Sequence, residues 1–246
     1  GIDNIEPLKG MVNLKIFMAD STGIQSLDAL DGMKGIQKVY CNNSKVNQKE
    51  ALKFLKKHPE TSLVYASKEL AAWWKGMHVE WQKQFNFYMT INDPPTTEQL
   101  HKLVLLDSIN ITGRTAITSL DPMNRMILLR ALWFPSTGVT SLEPIRDLTE
   151  LQSLNFSNTK VADIRPLSSH QQLKVIFCDN TPVMDIGALL DLGKLQIVYA
   201  DNTGVDDAQA DRFYAKKPGA LLIYQTYENT EWWKGLSPAW KEQMLK

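Results

Sequence analysis

Apolar residues return at the same offsets every 22 positions through much of the chain. Thr115, Thr137, Thr159, Thr181 and Thr203 follow one another at that step, and Thr22 and Ser44 repeat it near the start. Residues 138–159 read GVTSLEPIRDLTELQSLNFSNT, and 160–181 and 182–203 follow on the same template, as do 116–137 before them and 1–22 and 23–44 at the head of the chain. The shared skeleton ends L-x-x-L-x-(apolar)-x-x-T-x-(I/V)-x-x-(L/I). A fixed period of this length is the mark of a stacked coil, because a single repeat cannot bury its own apolar face and neighbours must supply the cover. Leu151-x-x-Leu154-x-Phe156 closes in alternation, which predicts a short strand with one face buried. The Thr or Ser three residues later falls where the chain turns, and its hydroxyl can satisfy backbone groups that the turn would orphan. The Asn-Thr and Asn-Ser pairs suit that turn. The return segment carries Pro7, Pro122, Pro144 and Pro166, which keep it short and irregular.

A second, longer period overlies the first. Pro59 and Pro218, Tyr65 and Tyr224, Trp73 and Trp232, Trp74 and Trp233, and Trp81 and Trp240 are all separated by one common offset, and that offset is not a whole number of the short repeats. This points to a duplicated module that ends the same way twice: a helix over 48–55 or 208–215, a stop at Pro59 or Pro218, a short strand at Leu63-Val64-Tyr65 or Leu222-Ile223-Tyr224, then W-W-K-G and a short helix. In the second copy Ser237 is placed to cap that helix, with Pro238 in its first position. Large amphipathic Trp side chains are good covers for the open end of a coil, so this ending is expected to be a cap.

Between the modules, Asn92-Asp93-Pro94-Pro95 is stiff, and Thr96 with Gln99 forms a capping-box signal for a helix. That helix is expected to open the second module. The predicted division is 1–90 and 91–246. Gly1 aligns with Lys160, well inside module two, so module one has no equivalent opening, and a bare end of this kind is expected to pair or aggregate.

Lys+Arg and Asp+Glu are both 27, which argues against nucleic acid, whose phosphates demand many cations. No apolar run approaches the ~20 residues of a membrane span. Cys41 and Cys178 fall in the inward column that holds Phe134, Phe156 and Ala200, and are expected to be separate buried thiols. The histidines at 58, 78, 101 and 170 are scattered, without metal-ligand spacing, and are read as solvated surface residues. No nucleophile, phosphate-loop, dinucleotide or zinc-protease motif is present. The reading is therefore non-enzymatic, with no cofactor and no metal. Asp179 and Asp201 share one column of adjacent repeats and are read as a rim.

The returns Asp163-Ile164-Arg165-Pro166-Leu167 and Leu142-Glu143-Pro144-Ile145, following short strands at this period, resemble bacterial leucine-rich repeats of the internalin-like type. Thr or Ser stands where many relatives carry Asn at the inward turn. The resemblance implies an α/β leucine-rich-repeat solenoid: short parallel strands lining a concave face, an irregular or short-helical convex side, and two tandem modules with helical Trp-containing caps. On that concave face the residues between inward positions point outward. Their second column reads Met18, Tyr40, Asn110, Trp133, Asn155, Phe177 and Tyr199, an exposed aromatic set of the kind that anchors a ligand. With Asp179 and Asp201 beside it, this is the candidate ligand-binding face. The expected partner is a protein or peptide. The alternative is a carbohydrate-binding or spacer module of an envelope protein. The chain begins with Gly1 rather than Met, and with the resemblance this leads to an expected secreted or cell-surface location.

Overall fold

The computed structural model describes residues 1–238, 240 and 241. The chain divides into two compact units, Gly1–Asp107 with Arg125–Leu128, and Ser108–Asn124 with Leu129–Lys246. The first holds a three-stranded sheet, β1 (Ile16–Met18), β2 (Lys38–Tyr40) and β3 (Ser62–Val64). The second holds a six-stranded sheet, β4 (Ser108–Asn110), β5 (Ala131–Trp133), β6 (Ser153–Asn155), β7 (Val175–Phe177), β8 (Ile197–Tyr199) and β9 (Leu221–Ile223). Every pairing is parallel and joins neighbours in sequence. Short 3-10 turns such as Glu143–Ile145, Arg165–Ser169 and Gly187–Leu189 carry the returns.

The alternation read from sequence sets this arrangement. The middle residue of each strand in unit two, Ile109, Leu132, Leu154, Ile176, Val198 and Leu222, is buried, and the next inward column of Phe134, Phe156, Cys178 and Ala200 is sealed as well. Both cysteines are free and buried. Burial pushes the Cys41 thiol up to about 12 and that of Cys178 higher still, so neither is a thiolate at neutral pH.

The turn after each strand works as the hydroxyl argument requires. The side-chain O–H of Thr22, Ser44, Thr137, Thr159, Thr181 and Thr203 donates to the carbonyl three residues back at 2.6–2.8 Å. In three of these turns the same oxygen accepts a backbone N–H two residues on, at Val46, Val161 and Val205. The residue just before the hydroxyl is left-handed: Ser21, Asn43, Ser136, Asn158, Asn180 and Asn202 have φ between 51° and 58°. Asn tolerates that region better than most side chains, which explains the Asn-Thr and Asn-Ser pairs. Asn158 is exposed, so its backbone conformation can be tested without disturbing packing. Asn158→Gly is expected to leave stability within about 0.5 kcal/mol, and Asn158→Val to cost about 1–2 kcal/mol. Equal urea midpoints for the two variants would refute this account.

Thr115 departs from the column. Strands β4 and β5 pair Ser108 with Ala131, one residue more than the step that β5, β6, β7 and β8 follow. The left-handed position is therefore Gly113, at φ 72°. Thr115 lies two residues beyond it and is exposed. One inserted residue keeps the letter spacing of the threonines but breaks their structural equivalence.

Elements also recur at the longer offset. Helix α1 (Gln48–Lys57) and the later Asp207–Lys216, β3 and β9, and α2 (Ser67–Gly76) and the later Thr226–Gly235 occupy corresponding positions. Ala66 and Gln225, both left-handed at φ 49°, precede the last pair. W-W-K-G forms the final turn of these helices, and in unit one the expected short helix follows it as α3 (Val79–Phe85). There Leu70 and Trp74 of α2 are buried with Trp81 and Phe85 of α3, and ring centroids of Trp74 and Trp81 lie 6.5 and 5.5 Å from that of Phe85. Here the Trp-containing ending does cover apolar surface. In unit two, Trp232 and Trp240 are 55% and 56% exposed, and the helix Thr226–Gly235 buries no residue. The same letters do not give the same burial. The short helix expected from Ser237 runs into positions 239 and 242–246, outside the described residues.

Helix α4 (Thr97–Val104) carries the expected capping box, with Gln99 N–H donating to Thr96 Oγ1 and Thr96 N–H to Gln99 Oε1. It belongs to unit one, where it packs on α2 and β3. The sequence expectation sets it at the head of module two, with a boundary at 90/91. Its apolar face is turned to unit one: Leu100, Leu103 and Val104 are buried, and the His101 imidazole lies against the backbone N and O of Tyr65 at 3.1 and 2.9 Å.

Burial also corrects three of the four histidines. His58, His101 and His170 are buried, and only His78 is exposed, as the cap of α3. His58 stacks on Phe54 at 4.6 Å. His170 occupies a core column otherwise filled by Leu148 and Leu192. An imidazole can take such a site because most of its ring is apolar and one nitrogen finds a carbonyl.

Candidate ligand face on the sheets

Each strand has three residues, and burying the middle one turns the other two outward. In unit two the first outward column is Ser108, Ala131, Ser153, Val175, Ile197 and Leu221, and the second is Asn110, Trp133, Asn155, Phe177, Tyr199 and Ile223, aligned by the strand register. Met18 and Tyr40 hold the second-column position in unit one, Met18 at 73% exposure and Tyr40 half-buried. The structure thus brings Trp133, Asn155, Phe177 and Tyr199 into one file on one sheet and places Met18 and Tyr40 on the other.

The aromatic side chains have defined settings. Trp133 remains 41% exposed while its indole N–H donates to Ser153 Oγ at 3.0 Å. Phe177 and Tyr199 stack with centroids 4.5 Å apart and planes 6° from parallel. Parallel strands about 4.8 Å apart impose that spacing when facing aromatics adopt the same rotamer. Asn155 turns its amide oxygen to the Ser157 N–H.

Asp179 and Asp201 are held differently. Asp179 Oδ1 accepts the Asp201 N–H, and the Asp201 carboxylate accepts both the N–H and the hydroxyl of Thr226. Asn42 does the same for Ser67 in unit one. These carboxylates brace one turn of the coil against the next. Burial raises the Asp179 carboxyl above the usual range, while the Asp201 N–H and the Ser157 hydroxyl pull it back. They form a fixed acidic margin beside the aromatic column rather than free ligating groups.

Alternation already turns Val175 and Ile197 outward beside Phe177 and Tyr199; what sequence reasoning does not anticipate is that Leu221 and Ile223 extend the two columns. The letters are legible, but their continuity with the columns depends on the register of β9, which lies one residue earlier than the expected strand. A half-open cleft of about 510 Å3 between α2, α3 and the turn at Pro94 and Pro95 is a weaker candidate. Two of its amides are already used: Gln82 donates to the Trp74 carbonyl, and Asn86 bonds the Gln82 carbonyl and the Ile91 N–H.

Strand, hydroxyl-braced left-handed turn and 3-10 return, repeated turn after turn on parallel sheets, decide the architecture. The chain is a leucine-rich-repeat solenoid. No family model and no curated protein matches it. Among solved structures it is similar to an internalin from Listeria monocytogenes (17% identity, TM-score 0.46), covering 91% of this chain and 58% of that one. It is also similar to an internalin C2 from the same organism (19%, TM-score 0.47; 89% and 82%) and to a leucine-rich-repeat protein from Leptospira interrogans (14%, TM-score 0.46; 89% and 51%). The chain thus spans little more than half of the first and third of these structures. Among the described residues no helix is long and apolar enough to cross a membrane.

Proposed function

We propose that this solenoid is a non-catalytic recognition module that binds a protein or peptide on the outward face of the unit-two sheet, around Trp133, Asn155, Phe177 and Tyr199. Asp179 and Asp201 form the margin of that face, and Met18 and Tyr40 are a lesser counterpart in unit one. The observation that carries the reading is the file of outward aromatics on a rigid parallel sheet. Such side chains supply large contact area at little conformational cost, and their spacing is fixed before a ligand arrives. The tandem modular organisation and a secreted or cell-surface setting belong to the same proposal.

The stacked pair favours protein over glycan. A sugar ring packs on a free aromatic face, and Phe177 and Tyr199 turn one face each to the other. In this file only Trp133 offers an isolated ring. The test is capture on immobilised protein of wild type and of a variant with Trp133, Phe177 and Tyr199 replaced by Ala. A protein retained by wild type and lost by the variant, with unchanged circular dichroism, is the expected result. Retention by both would remove the face from consideration. A glycan retained only by wild type would favour the carbohydrate alternative.

A further inference from the structure

The unit-two face is not uniform along its length. Its early strands set Ala131 and Trp133 among the polar Ser108, Asn110, Ser153 and Asn155, but β7, β8 and β9 offer Val175, Phe177, Ile197, Tyr199, Leu221 and Ile223 in two aligned columns. Apart from the Tyr199 hydroxyl, this patch has no side-chain hydrogen-bonding group, and on its face the backbone offers none either: β7 and β8 are paired on both sides, and β9, the last strand, is paired on one with its polar groups in the plane of the sheet. An extended peptide laid on it would strand its own N–H and C=O groups against hydrocarbon. A helix satisfies its backbone internally.

The dimensions agree. Three neighbouring strands spread their outward side chains over about 9.6 Å. One stripe of a helix, positions i, i+4 and i+7, spans about 10.5 Å. The margin beyond the aromatic column is acidic and immobile, because Asp179 and Asp201 are locked to the backbone of the following turn. The opposite margin carries Lys174 and Gln196, which precede Val175 and Ile197.

We infer that the β7–β9 patch receives an amphipathic α-helix of a partner protein, its apolar stripe on the two columns and its Lys or Arg residues on the flank facing Asp179 and Asp201. This rests on the recognition reading above and names the partner's chemistry.

Three synthetic peptides test it against the full chain by isothermal titration: a stapled helix with a Leu stripe and a Lys flank, the same helix with Glu for Lys, and the Lys peptide unstapled with a central Pro. The Lys helix is expected to bind at least tenfold more tightly than either other peptide. It should lose at least tenfold with Leu221→Asp, a substitution at a half-exposed site outside the aromatic column. Absence of Lys-helix binding, equal binding of the Glu helix or equal binding of the Pro-broken peptide would each overturn the inference. If the Pro-broken peptide binds as well and depends on Phe177 and Tyr199 but not on Leu221, the recognition face stands and the helical partner falls. If no binding depends on Phe177 and Tyr199, the face itself falls.

Discussion

Replacing Phe156 with alanine is expected to destabilise the protein by about 3–5 kcal/mol, the range for removing a buried aromatic ring. Phe156 is fully buried and stacks on Phe134 with centroids 6.2 Å apart. In a solenoid each ring touches mainly the turns before and after it, so the loss falls on two interfaces at once. The same column narrows from Phe134 and Phe156 to Cys178 and Ala200 along the stack, which fixes how much volume each turn must fill. Urea unfolding followed by circular dichroism measures the effect. A loss below about 1 kcal/mol would mean that the turns at Phe134 and Cys178 can close over the gap.

The features legible in the sequence are those that repeat. Period, strand face, hydroxyl turns and cysteine burial all follow from side chains whose surroundings are supplied by a like neighbour one repeat away. Reading fails where the surroundings come from outside the repeat. Thr115 keeps the letter period, but the longer step between β4 and β5 moves it out of register, and nothing in the residues themselves marks which position was inserted. Trp81 and Trp240 are the same residue in the same module position, yet Phe85 and its neighbours in unit one bury the first while the second stays half-exposed. Helix α4 is legible as a helix, but its unit is not, because a capping box tells where a helix starts and not what its apolar face meets.

The candidate face shows the same division. Its outward columns follow from alternation alone, so Trp133, Phe177 and Tyr199 can be named from letters. Their geometry cannot. The parallel stack of Phe177 on Tyr199 and the tether of Trp133 to Ser153 depend on rotamers and register. Asp179 and Asp201 look like candidate ligand contacts because they share a column, but that column is the joint between turns, and the chain itself already bonds its carboxylates.

Acid is expected to weaken this protein through His170. The side chain is fully buried, its Nε2 lies 3.1 Å from the Ile145 carbonyl oxygen, and its Nδ1 has no hydrogen-bond partner among the described residues. Burial lowers its proton affinity below the ordinary value of 6.5. The nearby carbonyls of Ile145 and Leu167 and the Asp147 carboxylate favour the charged form and Arg146 opposes it, but desolvation is the largest influence. The unfolded chain therefore binds a proton more readily than the folded one, so the contribution of His170 is fully present above about pH 6.5 and declines as the pH falls through that value toward the lower folded-state value. His58, also buried and shifted down by desolvation, works in the same direction. His170→Met separates the two. Leu148 and Leu192 fill the equivalent positions one turn away on either side, and the Ile145 carbonyl keeps the N–H of Leu148 as a donor at 3.0 Å. Methionine should therefore fit at neutral pH with a change below about 1.5 kcal/mol. Between pH 7.5 and 5 the wild-type urea midpoint is expected to fall and the variant midpoint to fall much less, the remainder reporting His58. Parallel slopes for the two proteins would show that protonation of His170 does not govern the acid response.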